Sequence, residues 1–257
     1  MKNSFCLIFI SLSVLFSFAQ KPEIVNGDTT NRADVNGLRQ GIWRTYRQGT
    51  TMLMSEGNYK DGKKTGLFKY YDENGKLEAM GNFYQDGHKC AMHAYYENGK
   101  LKAKGLYTDG KKDSLWIYYY DNDTLSSEGF YHNGTQDGLW KSYFSDGTPL
   151  EISTWKEGQK NGPWKQYYEN GFVKIDGFMV MGNFIGTTKF YHHNGKLFML
   201  GKYEAGLRDS TWEYYDMDGK YEKSESYKKG VLIRSTAPEI KKDSLPVKST
   251  GEAEKRE

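Results

Sequence analysis

Residues 161–171 read NGPWKQYYENG, a Trp and two Tyr bracketed by Asn-Gly pairs. Alone, the stretch suits an aromatic binding pocket, part of a catalytic loop, or one β-hairpin. Recurrence decides between them. Glycines at 37, 62, 87, 110, 134, 158, 182 and 206 open eight successive units of about 24 residues, and Gly230 closes the last. Each unit begins with an aromatic segment: GIWRTY, GLFKYY, AMHAYY, SLWIYY, GLWKSY, GPWKQY, GTTKFY and STWEYY. The third position holds Trp43, Trp116, Trp140, Trp164 and Trp212, with Phe68, His93 and Thr188 in the remaining copies. The sixth reads as Tyr throughout: Tyr46, Tyr71, Tyr96, Tyr119, Tyr143, Tyr167, Tyr191 and Tyr215.

Turn signals follow these segments, among them DENG, ENG, SDG, HHNG and DMDG. Asn-Gly and Asp-Gly tolerate positive φ and mark hairpin turns. Second segments such as KLKAKGLY then alternate. Leu101, Ala103, Gly105 and Tyr107 fall on one side, and Lys100, Lys102, Lys104 and Leu106 on the other. Period two is a strand with one apolar face, and the small mid-strand residue leaves room for a neighbouring ring. Each unit is therefore one antiparallel hairpin, too small to stand alone in water. Eight of them side by side give about sixteen strands at about 4.8 Å, a sheet about 75 Å long. The expected fold is all-β: an elongated, twisted antiparallel sheet of about eight tandem β-hairpins.

Composition agrees. Hydrophobic residues reach only 37%, while 16% of the chain is aromatic, so the buried surface must come largely from Tyr, Phe and Trp. Net charge is +3 with both signs interspersed, which argues against nucleic acid as a partner. The start, MKNSFCLIFISLSVLFSFAQ, has a basic residue, a short apolar run, and small residues before a cleavage point between Ala19 and Gln20. That reads as a signal peptide over 1–19, with an uncleaved anchor as the competing reading. The expected product is exported (periplasmic, cell-surface or secreted) and not transmembrane after cleavage. Residues 20–36 read as a polar lead-in, 37–230 as the repeats and 231–257 as a disordered polar tail. Cys90 is then the one cysteine left, and no internal disulfide is available.

The pattern carried by GLFKYYDENGKLEAMGNF, GPWKQYYENG and DGKKTGLF resembles the MORN-repeat variant family, over about residues 37–230. Many members of that family are labelled antitoxin-like. The resemblance implies a sheet of hairpins serving as a scaffold or interaction surface.

Catalytic, cofactor and metal sets are not expected. His192-His193 sits at a turn with no third ligand placed by sequence, and DNDTLSSE lacks the Gly of a calcium loop. Two readings stay open. One is a non-enzymatic scaffold for an unknown protein partner, an antitoxin- or immunity-like role being one form of it. The other is an aromatic module for cell-wall or other glycans, whose test is whether Trp116, Trp140 and Trp164 lie open or packed. The sixth copy departs from its siblings by turning apolar, so Phe172, Phe178, Met179, Val180 and Met181 are the candidate partner contacts. Unpaired sheet edges also allow edge-to-edge self-association.

Overall fold

The computed structural model describes residues 22–25 and 27–237, and no helix occurs among them. The signal segment and residues 238–257 lie outside the described residues. The first strands are β1 (Glu23–Val25), β2 (Asp28–Thr30), β3 (Arg32–Ala33), β4 (Arg39–Tyr46), β5 (Leu53–Lys60), β6 (Lys63–Tyr71) and β7 (Leu77–Tyr84). Then come β8 (Lys89–Tyr95), β9 (Leu101–Thr108), β10 (Lys111–Tyr119), β11 (Leu125–His132), β12 (Thr135–Tyr143) and β13 (Pro149–Lys156). The last are β14 (Gln159–Tyr167), β15 (Val173–Val180), β16 (Asn183–Tyr191), β17 (Leu197–Glu204), β18 (Leu207–Tyr215), β19 (Tyr221–Lys228) and β20 (Val231–Thr236).

Contacts divide the chain into two units, Met1–Gly147 and Thr148–Glu257. In the first, each strand from β3 to β12 pairs antiparallel with the next. In the second, β13 to β20 do the same. The tandem hairpins expected from the turn spacing are present.

Two kinds of turn make this meander. Within a repeat, Asp72 accepts backbone bonds from Asn74 and Lys76, and Asp216 accepts them from Asp218 and Lys220. Between repeats, Asp61-Gly62, Asp109-Gly110, Asn133-Gly134, Glu157-Gly158, Met181-Gly182, Ala205-Gly206 and Lys229-Gly230 hold both residues at positive φ. That is the type I′ geometry matching strand twist. The linker glycines are thus second hairpin turns. Gly66, Ser114, Gly138, Gly162, Gly186 and Ser210 also have positive φ, next to breaks in register. They are bulges, which explains a small residue just ahead of the aromatic segment.

The third copy corrects the sequence alignment. β7 pairs β8 without a break, and a four-residue turn at 85–88 takes up the length that a bulge absorbs elsewhere. Its glycine falls one place late, so counting from Gly87 slips the frame. Met92, not His93, stands opposite Gly81, and His93 is exposed. The sixth position there is Tyr95, and Tyr96 is the seventh.

The two ends also differ from expectation. In the lead-in, Trp43 Nε1 donates to the Arg32 carbonyl and the Arg44 amide to Asn31 Oδ1 (3.1 and 2.8 Å). Residues 30–33 therefore cover the free edge of β4, as a terminal cap must. At the far end, residues 231–236 form strand β20 paired with β19, which corrects the expectation of disorder from 231, and the rest of that expected tail lies largely outside the described residues. Period two is absent from VLIRST, and its side chains are mostly exposed.

Candidate functional site

In each unit, ring residues of one sheet face lie over glycines of the neighbouring strand. A Cβ added to Gly105, Gly129 or Gly201 would enter the ring of Trp116, Trp140 or Trp212, and one added to Gly57 would enter Phe68. Each glycine is what lets the ring lie flat on the neighbouring strand. The opposite ring face is capped by a cation in several copies. Lys112 Nζ lies 4.4 Å from the Trp116 centroid, Lys160 5.2 Å from Trp164, and Arg208 4.3 Å from Trp212. Tyr107, Tyr131 and Tyr203 approach the same rings edge-on. All five repeat Trp are under a tenth exposed, so they are packing elements between hairpins rather than an open aromatic groove.

The sixth-position tyrosines, in the corrected frame Tyr46, Tyr71, Tyr95, Tyr119, Tyr143, Tyr167, Tyr191 and Tyr215, are half-buried near the turns. The seventh position, which the sequence pattern did not single out, ties copies together. Tyr96, Tyr120 and Tyr168 hydroxyls donate to the carbonyls of Tyr119, Tyr143 and Tyr191 (2.7, 2.7 and 2.8 Å). Arg47 and His192 Nε2 do the same to Tyr71 and Tyr215 (3.1 and 2.9 Å). His192 is therefore a backbone donor in a Tyr position. Among the described residues, no group of three His, Cys, Asp or Glu is placed to hold a metal. Cys90 is buried, and that burial pushes its thiol up to about 11.

The apolar sixth copy splits. Phe178 and Val180 are exposed on the face opposite the Trp row, where Phe178 lies between Pro163 and Ile185 in register. Met181 is 69% exposed and sits at φ 49 in its I′ turn, a place that suits Asn or Asp. Met179 faces the other way and is buried, paired with Phe184 in register. Alternation of side chains makes that unavoidable. Phe172 is exposed at the opposite end of the strand, against Gly195. Phe178, Val180 and Met181, with Ile185, form one apolar area. Met179 and Phe172 are not part of it.

A second feature combines charge with hydroxyls. Lys112 Nζ donates to Tyr118 Oη at 2.8 Å, and the Tyr118 and Tyr131 hydroxyls are 3.2 Å apart. Burial pushes the Lys112 amine down to about 8 and raises the Tyr118 phenol far above its ordinary range. In the eighth copy, Arg208 donates to the Tyr214 and Tyr227 hydroxyls (2.9 and 3.3 Å). Both hydroxyls donate to Glu225 Oε2 (2.6 and 2.7 Å), while Lys223 donates to Oε1 at 2.7 Å. Lys223, then Tyr214 and Tyr227, pull the Glu225 carboxyl down to about 2.

With this geometry in view, the chain matches the family model described as MORN repeat variant in six segments: 64–86, 94–109, 112–133, 136–157, 160–177 and 185–205. No curated protein matches it. Among solved structures, one titled Crystal Structure of TarM aligns at 12% identity over 35% of this chain, with TM-score 0.27. The chain spans 18% of that protein. A protein of unknown function from Bacteroides fragilis NCTC 9343 aligns at 7% identity over 78% of this chain and 94% of its own, with TM-score 0.10.

Proposed function

The array belongs to the MORN repeat variant family, and on that premise we propose that the chain is an exported, non-enzymatic scaffold that holds a protein partner. The observation that carries this reading is the apolar area of Phe178, Val180, Met181 and Ile185, each about two-fifths exposed or more. Sibling copies put Asp or Asn where Met181 stands in three of the seven I′ turns. An exposed Met at positive φ forgoes the easier residue, and such sites favour contact over stability. An antitoxin- or immunity-like partner fits the same surface. The signal-like N-terminus supports export, to the periplasm, cell surface or medium. A glycan would need open ring faces for stacking, and the repeat Trp rings are buried, with a cation over Trp43, Trp116, Trp164 and Trp212.

The test is a pull-down from envelope extract with the mature chain and with Phe178→Ser and Met181→Asn. A partner recovered by the first and lost from both variants is the expected result. Retention on purified cell-wall glycan with no protein recovered would overturn it.

A further inference from the structure

The two hydroxyl clusters sit at equivalent places. Lys112, Tyr118, Gly129 and Tyr131 are each 96 residues, four copies, before Arg208, Tyr214, Glu225 and Tyr227. A cation bonded to the first of two hydroxyls recurs at these positions, Lys112 to Tyr118 and Arg208 to Tyr214, while the second hydroxyl bonds Tyr118 in one cluster and Arg208 and Glu225 in the other. One member differs. The eighth copy supplies its own carboxylate, and the fourth has a glycine in its place.

We propose that the Lys112–Tyr118–Tyr131 cluster is a binding site for a carboxylate brought by a ligand, as its counterpart binds Glu225. The counterpart shows what this donor set takes: one carboxylate oxygen accepting both phenol protons, with the cation behind them. In the fourth copy the three groups have only one another. Lys112 donates to Tyr118, and one phenol donates to the other, which leaves a proton without an acceptor among them. The space above Gly129 is filled by the Trp140 ring, which packs on Tyr118 and Tyr131. A ligand carboxylate therefore does not follow the path of the Glu225 side chain but meets the hydroxyls from solvent, to which Lys112, Tyr118 and Tyr131 are each partly exposed. Charge favours it as well. Among the described residues Lys112 has no carboxylate partner in an ion pair, whereas Lys160, its equivalent in the sixth copy, is paired with Glu151 at 2.5 Å. The amine lowered by burial gains from a counter-charge, so binding stabilises its protonated form.

Other copies lack the full set. Lys64 donates to Tyr70 at 3.0 Å, but Phe83 replaces the second phenol. The sixth copy has Gln166 and Met179 at these positions. The carboxylate belongs to an acidic side chain of a polypeptide or to a free organic acid, and the assay separates them.

Titration calorimetry with the full mature chain would use capped hexaglutamate, capped hexaglutamine and glutarate as probes. Hexaglutamate is expected to bind and hexaglutamine not. Lys112→Gln and the double variant Tyr118→Phe/Tyr131→Phe should each weaken binding by about tenfold or more. Lys112→Arg, which copies Arg208, should retain it, and Lys160→Gln should leave it unchanged. Glutarate binding as tightly as hexaglutamate identifies a free acid as the ligand, and weaker binding identifies a polypeptide. Urea midpoints of the variants at or above that of wild type establish that folding is intact. Equal affinity in Lys112→Gln, or equal loss in Lys160→Gln, overturns the site. Partner capture through Phe178 and Met181 is read separately, so either result stands if the other fails.

Discussion

Replacing Gly105 by Ala reverses the usual sign of that change. In an ordinary strand Gly→Ala stabilises by about 0.5–1 kcal/mol. Here the methyl enters the face of Trp116, which is 3% exposed. The ring must move, and it loses its Nε1–H bond to the Leu106 carbonyl (3.0 Å), about 1 kcal/mol. Its edge-on contact with Tyr107, centroids 5.1 Å apart, is worth about 1 kcal/mol more. Overpacking adds about 1 kcal/mol at the low end. Against the backbone gain, the net is a loss of about 2 kcal/mol. The change is survivable, because Ser153 occupies the equivalent place opposite Trp164. The assay is urea unfolding followed by Trp fluorescence, run as a double-mutant cycle with Trp116→Leu. The penalty should fall below about 0.5 kcal/mol once the ring is gone. A Gly105→Ala protein as stable as wild type, or a penalty unchanged in the Leu background, would refute the slot argument.

Three further outcomes follow from the site. Lys112 has a folded pKa of about 8, below its ordinary 10.5, so its burial destabilises fully below pH 8 and is relieved as pH climbs through that window. Lys112→Met should raise the urea midpoint at pH 7, with the advantage shrinking between pH 8 and 10.5. Glu225 is the opposite case: its folded pKa of about 2 lies below 4.5, so it stabilises above pH 4.5 and loses that contribution as pH falls toward 2. Glu225→Gln should be less stable at pH 7, and acid titration of the two proteins should show the gap closing over that range. His192→Phe should cost about 1 kcal/mol of stability by denaturant titration and His192→Tyr should restore it, since Tyr168 makes the same bond.

The hairpins were legible because Asn-Gly and Asp-Gly turns and period-two alternation are local signals. Gly105 was legible too, as the small residue that admits a ring. The third copy misled because a glycine can serve at two places in a turn, and only strand pairing shows that Gly87 falls one residue later than Gly62 and Gly110. The apolar sixth copy stood out by composition, yet Met179 and Phe178 are neighbours in sequence and lie on opposite faces. The seventh-position donors escaped notice because Tyr, Arg and His share a role there without sharing a type. The Lys112 cluster needed a comparison at 96 residues, in which a single glycine-to-glutamate difference carries the meaning. Strand β20 gave no signal, since it pairs by extending a neighbour rather than by burying a face.

The ring-on-glycine slots also determine the order in which the chain can be assembled. Phe68 closes on Gly57, Trp116 on Gly105, Trp140 on Gly129 and Trp212 on Gly201, each only 11 residues downstream of its glycine. Every such closure needs only local chain, so it can form soon after its ring leaves the ribosome. No copy waits for distant sequence, so contact order stays low despite an all-β fold, and loop-closure entropy is small at each step. Emergence from the N-terminus and growth of the sheet can then be one process, with four of the hairpins locked by the glycine of the one before.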